Sequence, residues 1–93
     1  MRHAGPAALD ALEPVLAAVR TLGLLKEKSR GVFYLRGRAF LHFHEDPAGL
    51  FADLRRGDDF DRYPVNKPEQ QAALLQAVSA AVAAAGLRQP AGA

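Results

Sequence analysis

The chain has 93 residues, 49% of them apolar and 24% charged, with a formal net charge of +2 and no cysteine. That length accommodates one hydrophobic core and not two. The missing cysteines exclude disulfides, thiolate nucleophiles, cysteine-ligated zinc and iron–sulfur clusters, and no uncharged apolar run reaches the roughly 20 residues that cross a bilayer.

The opening MRHAGPAALDALEPVLAAV has the apolar bias of a leader, but Asp10, Glu13 and Pro14 interrupt it. A cytoplasmic, soluble single domain over residues 1–89, with a flexible tail at 90–93, is the expectation. Leu9, Leu12, Leu16 and Val19 recur at helical spacing, which predicts a helix within residues 7–22. Pro14 lacks the N–H that an interior turn needs, so a kink or restart is expected there. Gly23 supplies a left-handed stop, with Leu24 positioned to pack back on the last turn.

Residues 31–45 read as a β-hairpin. GVFYLRG and RAFLHFHE are rich in β-branched and aromatic residues, and Arg36-Gly37 fits a tight turn. Strict alternation then puts Val32, Tyr34, Ala39, Leu41 and Phe43 on one face, expected to be the core side. Phe33, Leu35, Arg38, Phe40, His42 and His44 fall on the other. A second hairpin is predicted from residues 50–55 through RGDD to residues 60–65, with Pro64 placing its last strand at an edge. Asn66, Pro68 and Glu69 announce a closing helix with the acid as capping partner, and Leu75, Val78, Val82 and Ala85 form its apolar stripe before Gly86 ends it. The expected fold is α+β: an N-terminal helix, a four-stranded antiparallel sheet made of two hairpins, and a C-terminal helix, with the helices on one face of the sheet.

The charges are unevenly placed. Residues 26–38 carry Lys26, Lys28, Arg30, Arg36 and Arg38 against Glu27, while residues 45–61 hold Glu45, Asp46, Asp53, Asp58, Asp59 and Asp61 against Arg55 and Arg56. Such blocks are expected to neutralise each other across neighbouring strands.

Several candidate sites lie in or near the first hairpin. His42-Phe43-His44-Glu45-Asp46 fits H-x-H-x-D, and alternate strand residues project two imidazoles to one side. His42, His44 and Asp46 are therefore the candidate zinc ligands, with Asp53 or Asp61 as substitutes for the carboxylate. The motif resembles the metallo-β-lactamase H-x-H-x-D-H, but Pro47 stands where the final histidine belongs, and His3 is assigned to a mobile N-terminus. The plainer reading, which leads, is a pair of strand histidines hydrogen-bonded on a half-open face. The basic run interleaved with Phe33, Tyr34 and Phe40 makes nucleic acid an alternative partner. No phosphate-binding loop, dinucleotide turn or nucleophile elbow is present, and Ser29 and Ser79 lie outside any such motif.

The stretch from Lys28 to Phe43 (KSRGVFYLRGRAFLHF), together with Pro68-Glu69, resembles small uncharacterised bacterial α+β domain proteins and is distantly similar to MmcQ/YjbR-like domains, which place a comparable aromatic hairpin before a closing helix. The resemblance implies an α+β fold and allows a DNA partner; it implies no catalytic residue. Taken together, the residues point to a non-catalytic binding domain that uses the open face of the first hairpin: Phe33, Arg36, Arg38, Phe40, His42 and His44. Its partner would be a protein, an anionic ligand or a second copy of the chain in a homodimer. A metal-binding hydrolase is the enzyme alternative.

Overall fold

The computed structural model describes residues 1–87. The predicted tail at 90–93 lies outside the described residues. The elements run β1 (Arg2–His3), α1 (Pro6–Ala11), α2 (Glu13–Arg20), β2 (Lys26–Ser29), β3 (Val32–Leu35), β4 (Arg38–Asp46), β5 (Gly49–Arg56), β6 (Asp59–Pro64) and α3 (Pro68–Leu87). The fold is α+β, with three helices and an open antiparallel sheet. The sheet has six strands rather than the expected four, in the order β2-β3-β4-β5-β6 with β1 added to β4.

The helical restart at Pro14 is present. Leu12, at φ −92°, ψ 0°, caps both helices as the single residue between them, and α2 begins with Pro14 in its first turn, where a missing N–H is tolerated. Gly23 stops the segment at φ 75°. Leu24, however, is 66% exposed; Leu22 and Leu25 pack against the core in its place. α3 starts at Pro68, but its capping partner is Gln70, whose side-chain oxygen accepts the Asn66 and Lys67 N–H groups at 2.9 and 3.1 Å. Asn66 serves the sheet, accepting from the Leu50 N–H at 2.8 Å. The helix also continues past Gly86 to Leu87.

Both hairpins form. Leu35 pairs with Arg38 across a two-residue turn in which Arg36 (φ 53°) and Gly37 (φ 81°) are both left-handed, the geometry that matches strand twist. Arg56 pairs with Asp59 across Gly57-Asp58, and β6 is an edge strand that ends at Pro64.

The expected assignment of faces on the first hairpin holds for Leu41 and Phe43 on the core side with His42 and His44 opposite, but not for Val32, Phe33, Tyr34, Ala39 and Phe40. Tyr34 pairs with Ala39, but Phe33 pairs with Leu41, so Phe40 is an extra residue with no partner on β3. A bulge of this kind turns two successive side chains to one side. Phe40 and Leu41 are both buried, and Phe33 is 1% exposed. The extra residue exchanges the faces of β3 and of Ala39 relative to strict alternation: Val32 pairs with His42 on the face opposite the core, along with Tyr34 and Ala39, and Phe33 turns inward. Phe33, Phe40, Leu41, Phe43, Ala52 and Leu54 join Leu12, Leu16 and Val19 of the first helices and Leu74, Val78 and Val82 of α3 in a single apolar cluster.

The two charge blocks mostly do not neutralise each other. Arg30 binds Asp10 and Glu13, Arg62 binds Asp53, Arg56 binds Asp61 and Arg2 binds Glu45. Arg38 with Asp58, at 3.3 Å, does join the two blocks.

Candidate functional site

β4 has two partners along one flank. β3 covers its first half, from Leu35 opposite Arg38 to Val32 opposite His42, and β1 covers its second half, with His3 opposite His44 and Arg2 opposite Glu45. The Ala4 N–H donates to the Phe43 carbonyl at 3.0 Å, and Glu45 accepts from the Gly5 N–H at 2.5 Å, which ties the N-terminal segment down. The junction leaves a hollow of about 450 Å³ lined by His3, Ser29, Arg30, Val32, Tyr34 and His42, among others.

All three histidines of the chain meet here. The His3 ring stacks on His44 with centroids 4.8 Å apart, and His42 lies 5.9 Å from each of them. Phe60 closes the other side of His42 at 5.1 Å. Register explains the gathering: the rows Val32–His42–Asp53–Arg62 and His3–His44–Phe51–Pro64 cross the sheet on the same face.

Asp53 gives its two carboxylate oxygens to Arg62 at 2.8 and 2.9 Å. The Arg62 guanidinium holds Asp53 below the usual carboxylate range. Burial pushes His42 below the ordinary imidazole value, and the neighbouring His44 and His3 push it further. Burial also lowers His44, against an opposing pull from Asp53. The buried Nε2 of His44 lies 3.3 Å from Asp53 but makes no hydrogen bond within the described residues.

The predicted metal ligands are not brought together. Asp46 turns back to accept the Ala48 N–H at 2.7 Å, Asp61 is held by Arg56 and Asp53 by Arg62. Among the described residues no set of three or more His, Asp or Glu side chains is arranged to hold a metal ion.

The predicted binding surface is divided. His42 and His44 lie on the face opposite the core, whereas Phe33 and Phe40 are buried in it. Arg36 and Arg38 line a separate groove of about 440 Å³ beside Ala77 and Ala81 of α3. Arg36 donates to the Ala85 carbonyl at 3.3 Å. That groove also holds Arg56 and Asp61, which are bonded to each other.

Sequence reasoning missed His3, Ser29, Arg30 and Tyr34 as neighbours of His42. A two-residue strand has no periodicity to detect, and β2 (KEKS) reads locally as a charged loop. Near the hollow, Lys28 Nζ lies 4.2 Å above the Tyr34 ring, and the Arg55 guanidinium lies 4.7 Å from the Phe60 centroid. No helix among the described residues is long and apolar enough to cross a membrane. No protein-family model matches the chain, and no curated protein or solved structure shows a significant match to it.

Proposed function

We propose that this chain is a small non-catalytic binding domain that takes an anionic ligand on the sheet face opposite the core. In this reading α1, α2 and α3 cover one face of the sheet, since their buried side chains join those of Leu41, Phe43, Ala52 and Leu54. The other face, with Val32, Tyr34, His42, His44 and Phe60, remains for a partner.

The charge chemistry of that face carries the reading. Lys28 and Arg55 lie over aromatic rings, and Lys26 stands opposite Tyr34. The carboxylate in the middle of the face, Asp53, is neutralised by Arg62. Cations beside flat rings suit a ligand that combines negative charge with an apolar or planar group. The same charge argues against this face pairing with itself in a homodimer, because two cationic patches repel. A nucleic acid is one polyanion that would satisfy the chemistry.

The test is a titration of ¹⁵N-labelled protein at low salt with a sulfated oligosaccharide and, separately, with a short oligothymidylate. Amide shifts should concentrate on β2, β3 and β4, and Lys26→Glu with Lys28→Glu should weaken binding by roughly tenfold or more through charge reversal. Shifts confined to α3, or an affinity untouched by the double reversal, would remove this face as the binding surface. Binding of the oligothymidylate with a steep loss on adding salt would identify nucleic acid as the partner.

A further inference from the structure

We propose that the hollow between β1 and the β2–β3 turn is a site for an oxyanion, carboxylate, sulfate or phosphoryl in class, which binds together with a proton taken up by the imidazoles that line it. The proposal rests on the reading of this face as an anion-binding surface and specifies what anchors there.

The polar lining of the hollow is His3, Ser29, Arg30, Tyr34 and His42, and no carboxylate is among the lining residues. Every one of these side chains can donate a hydrogen bond. A cation entering the hollow would meet no carboxylate among its lining residues, while an oxyanion would meet residues whose side chains carry N–H and O–H donors. Val32 offers an apolar wall for whatever carries the anionic group.

The positive charge for such a ligand has to come largely from the histidines. Arg30 is already shared between Asp10 and Glu13, at 2.8 Å to each. A neutral imidazole offers one N–H; a protonated one offers two and a full charge. The surroundings decide when protonation happens. His44 stacks on His3, and Asp53 and Arg55 from β5 and Arg62 from β6 lie around the pair His42 and His44. Tyr34 from β3 sits beneath Lys28 of β2. Glu45 of β4 is turned away to Gly5 and Arg2. Asp53, the carboxylate near the rings, is committed to Arg62, so burial disfavours the charged form of His42 and His44 until a new negative charge arrives. An oxyanion relieves both the desolvation and the mutual repulsion of the rings. Anion binding and protonation therefore strengthen each other, and the linkage is reciprocal.

The experiment is calorimetry on the full chain with inorganic sulfate and with benzenesulfonate at pH 7.5, 6.5 and 5.5, at ionic strength held constant with chloride. Both probes keep their charge across this range, so any pH dependence belongs to the protein. Repeating the pH 6.5 titration in two buffers of different ionisation enthalpy counts the protons taken up without any variant. The expected result is affinity rising as pH falls, by up to about tenfold per pH unit for each fully coupled proton, with proton uptake that shrinks in His3→Gln and His42→Gln. Benzenesulfonate binding more tightly than sulfate would identify an anionic group on an apolar body; equal binding would identify the ion itself. Affinity that is flat from pH 7.5 to 5.5 with no proton uptake overturns the coupling and leaves the face reading standing. Proton uptake unchanged in both variants puts the anion elsewhere and overturns the site. Failure of both probes while the sulfated oligosaccharide or the oligothymidylate binds overturns the hollow alone; failure of all four at every pH overturns the face reading as well.

Discussion

Asp53 stands between Arg62 and His44, with its two oxygens on the Arg62 guanidinium at 2.8 and 2.9 Å and His44 Nε2 left 3.3 Å away without a hydrogen bond among the described residues. A carboxylate already satisfied by an arginine gives little to a neighbouring imidazole, which is how a histidine can lie beside an acid and still be held below its ordinary pKa by burial.

Arg62→Ala tests that arrangement. With its guanidinium gone, Asp53 turns to His44, and the His44 pKa rises toward or above the ordinary value of 6.5. An NMR pH titration of the His44 ring reads the change directly. A His44 titration that stays where it was in the parent protein would mean that Arg62 does not control the pair.

The histidine cluster also sets a sign for stability against pH. His42 and His44 have folded-state values lowered below 6.5. Between the folded and unfolded values the unfolded chain binds more protons, so stability rises with pH there. The contribution of the neutral rings is complete above about 6.5 and is lost as pH falls through the lowered folded values. The melting temperature should therefore decline on going from pH 7 toward pH 5, and His42→Gln with His44→Gln should flatten that decline. Asp53, lowered by Arg62, adds a further loss only at more acid pH, as its own carboxylate protonates. A melting temperature that holds level through this range would contradict the burial of neutral rings.

The bulge at Phe40 makes a prediction that separates the two possible faces of the hairpin. Phe40 is 5% exposed, and Phe40→Ala should cost about 3–5 kcal/mol in denaturant unfolding, the range for a large buried ring. Val32→Ala, on the opposite face and half-buried, should cost less than about 1.5 kcal/mol because its surroundings are already partly wet. The reverse order of these losses would mean that strict alternation, without a bulge, is the true register.

Two glycines with similar backbone angles should respond differently to alanine. Gly37, at φ 81° in the turn, has open space where a Cβ would stand, so Gly37→Ala meets only the left-handed cost of about 1–2 kcal/mol. Gly31, also at φ 81°, would place a Cβ 2.6 Å from Leu9 Cδ2 in the core, adding a packing penalty on the order of 1–3 kcal/mol. Equal losses in the two variants would show that Leu9 moves aside without penalty.

Much of the backbone was legible in the residues because the chemistry that shapes it is local. A proline without its N–H restarts a helix at Pro14, and a proline ends the edge strand at Pro64. Gly23 stops α2, and Gly37 completes a two-residue turn, each at positive φ. The same locality explains the misplaced cap: Asn66 and Glu69 have capping chemistry, but Asn66 is drawn off by Leu50 and Gln70 takes the role.

The site was much less legible. The run Ala39-Phe40-Leu41-His42-Phe43 is apolar or aromatic at most positions, so alternation alone could not say which side chains face the core, and nothing in it marks a bulge. Its location follows from where Phe40 and Leu41 can both be buried against helices that are distant in sequence.

By itself, the sequence determined the α+β class, both hairpin turns, the helical restart at Pro14, the stop at Gly23, and the presence of two imidazoles on one side of β4, since residues two apart on a strand cannot be separated. Only the tertiary structure decided that Phe33 and Phe40 belong to the core, that Arg36 and Arg38 face a different groove, and that His3 joins His42 and His44. Those outcomes depend on pairings between segments far apart along the chain, where the energy of burying one face selects the register and local preference has no vote.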